Sequence, residues 1–231
     1  MKDIRLNKFI ANKTGLSRRY VDSLIEKNLI TVNQKDAELG CKLKSGDVIE
    51  LSDPKTNKQY SLVSEISEPE KTTVIVLNKP TGYVCSRDGQ GSPTIYDLLP
   101  QSFSELKIAG RLDKDSSGLV LMTNSGDIID QLTHPKYHKA KIYNVTLDKN
   151  LEPLHQQMIS DKGITLDDGL SKFIIDRGKN PGELSITMYE GRNRQIRRTF
   201  EALGYKVTKL HRTSLGNYDL NFQDDYKILE D

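Results

Sequence analysis

The chain has 231 residues, of which 35% are hydrophobic and 29% charged, and its formal net charge is +2. This balance excludes a disordered chain, and the length allows one medium domain and one small domain. The absence of any run of eighteen apolar residues excludes a membrane-spanning helix. Because the N-terminal stretch lacks an apolar signal-peptide core and Cys41 and Cys85 lie far apart, we expect a cytoplasmic protein with reduced thiols.

The first fifty residues predict a compact unit of two helices and a small sheet. The first helix, in "RLNKFIANKTG", has apolar residues at helical spacing and ends at Gly15, and the second begins after the N-cap Ser17. Arg18 and Arg19 fall in the first turn of the second helix, where the helix dipole disfavours cations. This placement favours an interpretation in which the pair faces phosphate. The segment "LKSGDVIELS" predicts a turn followed by a strand.

Three of these segments, "RLNKFIA", "SRRYVDSLIEKNLITVN" and "KLKSGDVIEL", resemble the small alpha-L RNA-binding module of a ribosomal small-subunit protein and of tyrosyl-tRNA synthetases. The resemblance implies an RNA-binding domain over residues 1–52, with Arg18 and Arg19 as candidate RNA-binding residues. A module that serves packing alone is the alternative. In "VNQK", at 32–35, the family usually has Gly after Asn, so we expect a change in the hairpin turn more than in the RNA face.

Residues 53–72 are polar and contain Pro54 and Pro69, so we predict a linker that includes at most a short strand at "YSLV". Beyond it, strand-like segments occupy 73–80, 118–123, 140–148, 171–176 and 183–191. Three helical patterns are present: one follows Asp127, a second includes Leu151, Leu154 and Met158, and a third includes Ile196, Phe200 and Leu203 and ends before Gly204. This order predicts an α+β domain over residues 73–231, with a mixed, largely antiparallel sheet and peripheral helices.

Basic side chains are concentrated in two places, whereas acidic side chains lie mostly elsewhere. The first cluster comprises Arg192, Arg194, Arg197, Arg198, Lys206, Lys209 and Arg212, and the second comprises Lys136, Lys139 and Lys141. Such local patches favour a polyanionic partner, although a solvated helix face alone produces a patch of this kind.

The loop in "AGRLDKDSSG" presents two carboxylates, Asp113 and Asp115, just before the apolar segment "GLVLMT". A loop Asp is usually a cap or turn residue. Glycoside hydrolysis needs two opposed carboxylates about 5–9 Å apart, which one loop seldom supplies, so we interpret Asp115 as a turn residue. His134 and His138 lack a Glu or Cys at metal-ligand spacing, and no phosphate-binding glycine motif is present. We therefore predict neither a metal site nor a nucleotide cofactor.

The segments "LNKPTG", "GRLDKDSSGLVLMTNSGD", "KIYNVTL", "EGRNRQIRRTFEALGY" and "LHRTSLGNYDL", taken in order, resemble the motifs of the bacterial ribosomal RNA pseudouridine synthases that carry an N-terminal alpha-L domain. The resemblance covers nearly the whole chain. Small departures, such as Ser116 and Ser117 where a Thr is common, leave Asp113 in place. The resemblance implies an isomerase that breaks the bond between uracil and ribose, turns the base and rejoins it through a carbon, without metal or organic cofactor.

The same resemblance implies roles for the matching residues. Asp113 is the catalytic carboxylate, Tyr143 stacks on the base, and Arg197 pairs with Asp113 and keeps it ionised. The candidate substrate-binding residues are Arg111, Leu215, Lys79, Arg192, Arg194 and Arg198. Leu215 matches an apolar residue that packs against the base, and the arginines, together with Lys206, Lys209 and Arg212, are candidate phosphate or wedge contacts.

We therefore expect ribosomal RNA as the partner, a monomeric chain, and strongly salt-dependent binding of an RNA whose target uridine leaves its helix. A non-catalytic RNA-binding or ribosome-assembly factor of the same fold is the alternative function. A glycoside hydrolase is a weaker alternative, because the sequence offers no convincing second carboxylate. The residues alone leave open which ribosomal RNA is modified and whether Asp113 attacks the sugar or the base.

Overall fold

The computed structural model describes residues 4–65, 71–178, 182–222 and 224–229. The chain divides into two compact units, Met1–Glu70 and Lys71–Asp231. Within the described ranges, no helix has the length and apolar character needed to cross a membrane.

The described residues of the first unit form two helices and six short strands. In chain order they are β1 (Ile4–Arg5), α1 (Leu6–Thr14), α2 (Arg18–Ile25), β2 (Ile30–Val32), β3 (Lys35–Asp36), β4 (Lys42–Leu43), β5 (Val48–Asp53) and β6 (Lys58–Val63). Gly15 ends α1 with a φ of 77°, and the Ser17 hydroxyl caps α2 by accepting from the Tyr20 amide, as the sequence predicts. Buried Leu6, Ile10 and Leu24 pack against the sheet residues in a single core.

Part of the segment predicted as a linker is a strand of the first unit. β5 and β6 pair antiparallel from Val48 opposite Val63 to Asp53 opposite Lys58, and "YSLV" lies in β6. Asp53 is buried and organises the connecting turn, because its carboxylate accepts from the Lys55 amide, the Thr56 hydroxyl and the Tyr20 hydroxyl. The prediction of a linker over 53–72 is therefore corrected for residues 53–63. Polar composition was misleading here because the polar side chains stabilise the turn.

The turn between β2 and β3 keeps a two-residue hairpin geometry in spite of its unusual sequence. Asn33 and Gln34 have φ angles of 50° and 64°, and both lie in the left-handed region that a tight hairpin turn requires. The expected change in the turn is therefore wrong: Gln34 adopts the conformation that Gly usually supplies. The Asn33 side chain supports it by donating to Asp47 and accepting from the Val48 amide.

We expect the substitution Gln34→Gly to raise the free energy of unfolding of the first unit by about 0.5–1 kcal/mol, because Gly adopts positive φ without a Cβ penalty. Urea unfolding of the full chain measures the change. Gln59→Gly places the same substitution in the extended strand β6 and should instead lower stability. If Gln34→Gly lowers it as well, Gln34 is not strained.

Within its described ranges, the second unit has three α-helices and eleven strands. They are β7 (Val74–Lys79), β8 (Lys107–Ala109), β9 (Ser117–Thr123), α3 (Gly126–Thr133), β10 (Lys141–Leu147), α4 (Pro153–Gln157), β11 (Ile164–Leu166), β12 (Gly169–Ser171), β13 (Ile174–Arg177), β14 (Glu183–Met188), α5 (Gln195–Glu201), β15 (Val207–Leu215), β16 (Tyr218–Asp219) and β17 (Tyr226–Leu229). The main sheet has the order β13-β14-β10-β15-β9-β7-β17. Only the β9–β15 pair among its described strands is parallel. The predicted α+β fold with a mixed, largely antiparallel sheet is confirmed.

The central strands are buried on both faces of this sheet. Along β7, Ile75 and Leu77 belong to one apolar cluster, whereas Val74 and Val76 belong to another. The alternation follows from the two-residue period of a strand, and near-continuous apolar sequence is the result. The sheet therefore holds the loops at the ends of β7, β8 and β9 on a rigid base.

The apolar pattern over 151–158 does not form the predicted helical face. Leu151 is buried, but Leu154 and Met158 are 64% and 37% exposed, and the next buried apolar residue along the chain is Ile159. The reason is that α4 is short and continues into a π-helical turn, Met158–Lys162, which changes the phase of the side chains.

Candidate active site

The loop that carries Asp113 connects β8 to β9, and Lys79 holds the end of this loop next to β9. This side chain is fully buried, and its ammonium donates to the carbonyls of Pro80, at 2.9 Å, and Ser116, at 2.6 Å. Burial lowers the pKa of Lys79 below its ordinary value. Lys79 was predicted to bind substrate, but it does not line the cavity described below. It stabilises the end of β7 and the end of the loop.

Arg212, on β15, holds the other end of the same loop. Only 1% of the residue is exposed, and its guanidinium donates to the carbonyls of Leu119 and Gly110, both at 2.8 Å. The interpretation of Arg212 as a phosphate contact is therefore corrected. Gly118 permits this arrangement, because a Cβ at its φ of 107° would lie 2.2 Å from the Arg212 carbonyl oxygen.

A cavity of about 790 Å³ opens above this loop. The predicted catalytic and substrate-binding residues that line it are Arg111, Asp113, Tyr143, Arg192 and Arg194, and the buried Arg212 also contributes to its wall. Tyr143 is buried on β10, on the same strand face as Val145 and Leu147, as its alternation predicted. Next to it, the pairing of β10 with β15 is irregular between Ile142 and Tyr143, a feature that commonly redirects a side chain at a site. The structure thus brings the predicted carboxylate and tyrosine to one cavity.

Four other predicted residues lie outside the cavity lining, namely Lys79, Arg197, Arg198 and Leu215. Leu215 is fully buried in the apolar cluster that includes Leu119 and Leu121. A Cβ on Gly110 would lie 3.1 Å from its side chain, so Leu215 supports the start of the Asp113 loop. The prediction that Leu215 packs against the base does not match this position.

The ion pairs around the loop differ from the predicted Asp113–Arg197 pair. The side chain of Asp113 is 34% exposed, and a guanidinium nitrogen of Arg194 lies 3.9 Å from its carboxylate. Arg197 instead lies with its Nε 3.4 Å from the carboxylate of Asp115 and donates to the Asp115 carbonyl at 3.0 Å. Asp115 also accepts two hydrogen bonds from Arg194, each of 3.0 Å. Asp115 is thus more than a turn residue: it joins both arginines to the loop.

Asp115 makes stability depend on pH. Partial burial raises the pKa of its carboxyl, but the hydrogen bonds from Arg194 and the charge of Arg197 outweigh burial and lower the pKa below its ordinary value. Its contribution to stability is therefore present above about pH 4 and is lost as the pH falls further.

We expect Asp115→Asn to lower the free energy of unfolding at pH 7 and to reduce the further loss of stability between pH 5 and pH 3. Urea unfolding at each pH measures both effects. Asp176→Asn makes the same change at an exposed position of β13 and is the matched control. An unaltered pH dependence in Asp115→Asn would mean that its pKa is not lowered by folding.

Arg192 and Arg198 are bound to acidic side chains at the turn between β11 and β12. Arg192 lies 2.6 Å from the carboxylate of Asp168. Arg198 pairs with Asp167 and, at 2.6 Å, with Asp168. These arginines were predicted as free substrate contacts, and the sequence did not indicate their partners. Arg192 also lies 3.4 Å from the carboxylate of Glu190, so it is a fixed cation in the cavity wall whose charge, like that of Arg198, is matched by neighbouring carboxylates.

The remaining cations are distributed over both units. Arg111 is exposed at the cavity, and its side chain forms no hydrogen bond or ion pair within the part of the chain that the structure describes. In the first unit, Arg19 is exposed and Arg18 donates to the Asn7 side chain at 3.2 Å, both at the start of α2. Across the described residues, no group of three or more His, Cys, Asp or Glu side chains is arranged to hold a metal ion.

Comparison with known proteins gives a consistent result. Residues 73–202 match the family model described as RNA pseudouridylate synthase. Dual-specificity RNA pseudouridine synthase RluF of Escherichia coli (strain K12) is 36% identical over 220 residues, which cover 94% of this chain and 72% of that protein. Ribosomal large subunit pseudouridine synthase B of Bacillus subtilis (strain 168) is 35% identical over 216 residues, which cover 90% and 84%.

A solved structure agrees with these relatives over almost the full chain. The crystal structure of a pseudouridylate synthase is 32% identical and matches with a TM-score of 0.67, covering 98% of this chain and 96% of that chain. The fold and its relatives place the protein among isomerases. The chain belongs to the RNA pseudouridylate synthase family, and the resemblance found in its motifs is confirmed.

Proposed function

We propose that this protein converts uridine in ribosomal RNA to pseudouridine, with Asp113 as the essential carboxylate. The observation that carries the proposal is that Asp113 and Tyr143 line one cavity in a chain of this family. Asp113 is half-exposed on a loop whose two ends are fixed by buried cations, so its carboxylate is accessible and its position is restricted. These are the properties that a reacting carboxylate requires.

In this proposal the target uridine enters the cavity after leaving its helix, which costs least in a loop or unpaired segment. Asp113 acts on the sugar or the base to release the glycosidic bond, and the walls retain the freed uracil while it turns. Tyr143 stacks on the base and assists proton loss from the carbon that forms the new bond. Arg194, 3.9 Å from Asp113, places a cation beside this carboxylate in the position assigned earlier to Arg197.

The rest of the proposal concerns the RNA outside the cavity. The first unit acts as an alpha-L RNA-binding domain, and Arg18 and Arg19 at the start of α2 contact phosphate. Arg111 and Arg192 provide cations at the cavity itself, so binding weakens as salt is added. The chain acts as a monomer in the cytoplasm.

Loss of one modification in cells tests this function. Pseudouridine is mapped in ribosomal RNA from cells that lack the gene, with and without the wild-type gene restored. We expect one or a few uridines to lose the modification and to regain it. In a purified system, RNA that carries tritium on C5 of uridine should release tritium, because this carbon forms the new bond. An unchanged map together with no release would support a non-catalytic RNA-binding factor of the same fold.

A further inference from the structure

Tyr189 is an exposed aromatic residue in the wall of the cavity. It follows the last residue of β14, and 51% of it is exposed, whereas its neighbour Met188 is 2% exposed. Both residues line the cavity. The Tyr189 side chain forms no hydrogen bond and no ring contact with any residue in the described part of the chain. Neither core packing nor a polar partner therefore explains a large aromatic side chain at this place.

Cations and a glycine flank this tyrosine. Arg192 is held in the cavity wall by the carboxylates of Asp168 and Glu190, and the Lys141 side chain passes beside Gly191, where an added Cβ would lie 3.6 Å from its Cε. Lys141 and Arg192 both line the cavity. An accessible aromatic face beside basic side chains is the combination that binds single-stranded nucleic acid, with bases stacked on the ring and phosphates near the cations.

We propose that Tyr189 stacks on a nucleobase that neighbours the target uridine and so holds the substrate strand at the cavity. This inference rests on the proposed function. Tyr143 is 7% exposed and lies deeper in the cavity wall, so we assign it to the reacting base. Tyr189 is accessible to a base that lies outside the cavity. Because every base has a stacking face, Tyr189 contributes affinity with little preference for base identity.

Kinetics of Tyr189 variants on an RNA oligonucleotide that spans the mapped uridine test the proposal. We expect Tyr189→Ala to raise KM about 5- to 100-fold, the range for loss of one stacked base, and to change kcat less than about twofold. Tyr189→Phe retains the ring and should leave KM close to that of the wild type. A fall in kcat with unchanged KM would overturn the proposal.

Abasic RNA identifies the stacked base. Each nucleotide beside the uridine is replaced in turn by an abasic residue. At one position, this replacement should weaken binding by the wild-type protein as much as Tyr189→Ala weakens binding of the intact RNA. At that position, the losses of binding free energy caused by the abasic residue and by Tyr189→Ala should not be additive, because both changes remove the same contact. If the two losses multiply at every position, Tyr189 does not stack on a neighbouring base.

Fluorescence tests stacking independently of catalysis. The chain contains no Trp, so Tyr189→Trp introduces a single tryptophan, whose fluorescence can be excited separately from that of the tyrosines. Single-stranded oligouridylate should quench it, whereas it should leave Leu154→Trp, at a 64% exposed position on α4, unquenched. Quenching without tritium release would uphold stacking and reject the proposed function. Tritium release by the wild type with no quenching at residue 189 would support the function and reject the role of Tyr189.

Discussion

Asp113→Asn should lower kcat by about 10³-fold or more and leave RNA affinity unchanged or slightly higher. The amide keeps the size of the side chain but removes the charge that acts on the glycosidic bond, and losses of this size are typical of a group that reacts with substrate. Affinity should not fall, because a carboxylate at 34% exposure beside RNA phosphates repels them. Single-turnover tritium release and filter binding of the same RNA measure the two quantities.

Two controls separate chemistry from structure in this experiment. Asp113→Glu keeps the charge but displaces it, so it should recover only a small part of the activity. Asp176→Asn makes the same chemical change on the exposed strand β13 and should be as active as the wild type. If Asp113→Asn retains more than about a tenth of wild-type kcat, the carboxylate is not the reacting group.

Local features of the sequence were sufficient to predict most helices and strands. The Ser17 cap and the Gly15 stop act within one turn of chain, and both occur as predicted. The strands in 73–80 and 118–123 are recognised because burial on both faces makes them continuously apolar. Prediction failed where the local pattern was irregular, as in the π-helical turn after α4 and in the turn organised by Asp53.

Partners of the charged side chains could not be predicted, because they depend on tertiary contacts. The sequence favoured surface positions for Lys79 and Arg212, since lysine and arginine are seldom fully buried. Both are buried because loop carbonyls, close in space but distant in sequence, satisfy them. Likewise, Asp168 lies 24 residues from Arg192 along the chain, and no periodic pattern connects such residues.

The ion pairs at the candidate site involve an arginine with an unusual backbone conformation. Arg194 has a φ of 47° just before α5, so its side chain lies outside the helical phase that the apolar residues indicate. Arg194 forms ion pairs with Asp113 and Asp115, whereas Arg197 forms its ion pair with Asp115. A motif match assigns residue types to a site, but it does not decide which of two arginines three positions apart approaches a given carboxylate.

The buried guanidinium of Arg212 leads to the second large effect. Arg212→Met should lower the free energy of unfolding by about 2–4 kcal/mol, because the carbonyls of Leu119 and Gly110 lose their donors in a buried place. Removal of the charge offsets part of this loss of stability, because a buried cation is unfavourable when, as for Arg212 among the described residues, no carboxylate pairs with it. The loop should also become less well positioned, so we expect kcat to fall about 10- to 100-fold in the variant that remains folded.

Urea unfolding and single-turnover kinetics on Arg212→Met, Arg212→Lys and Lys209→Met distinguish the contributions. Lys209 is exposed on the same strand, so its change to Met should alter stability by less than about 0.5 kcal/mol. Arg212→Lys keeps the charge, but one ammonium cannot donate to both carbonyls in the geometry of a guanidinium, so most of the loss should persist. If Arg212→Lys behaves as the wild type, charge alone holds the loop. If Arg212→Met is as stable and active as the wild type, Lys79 is sufficient to position Asp113.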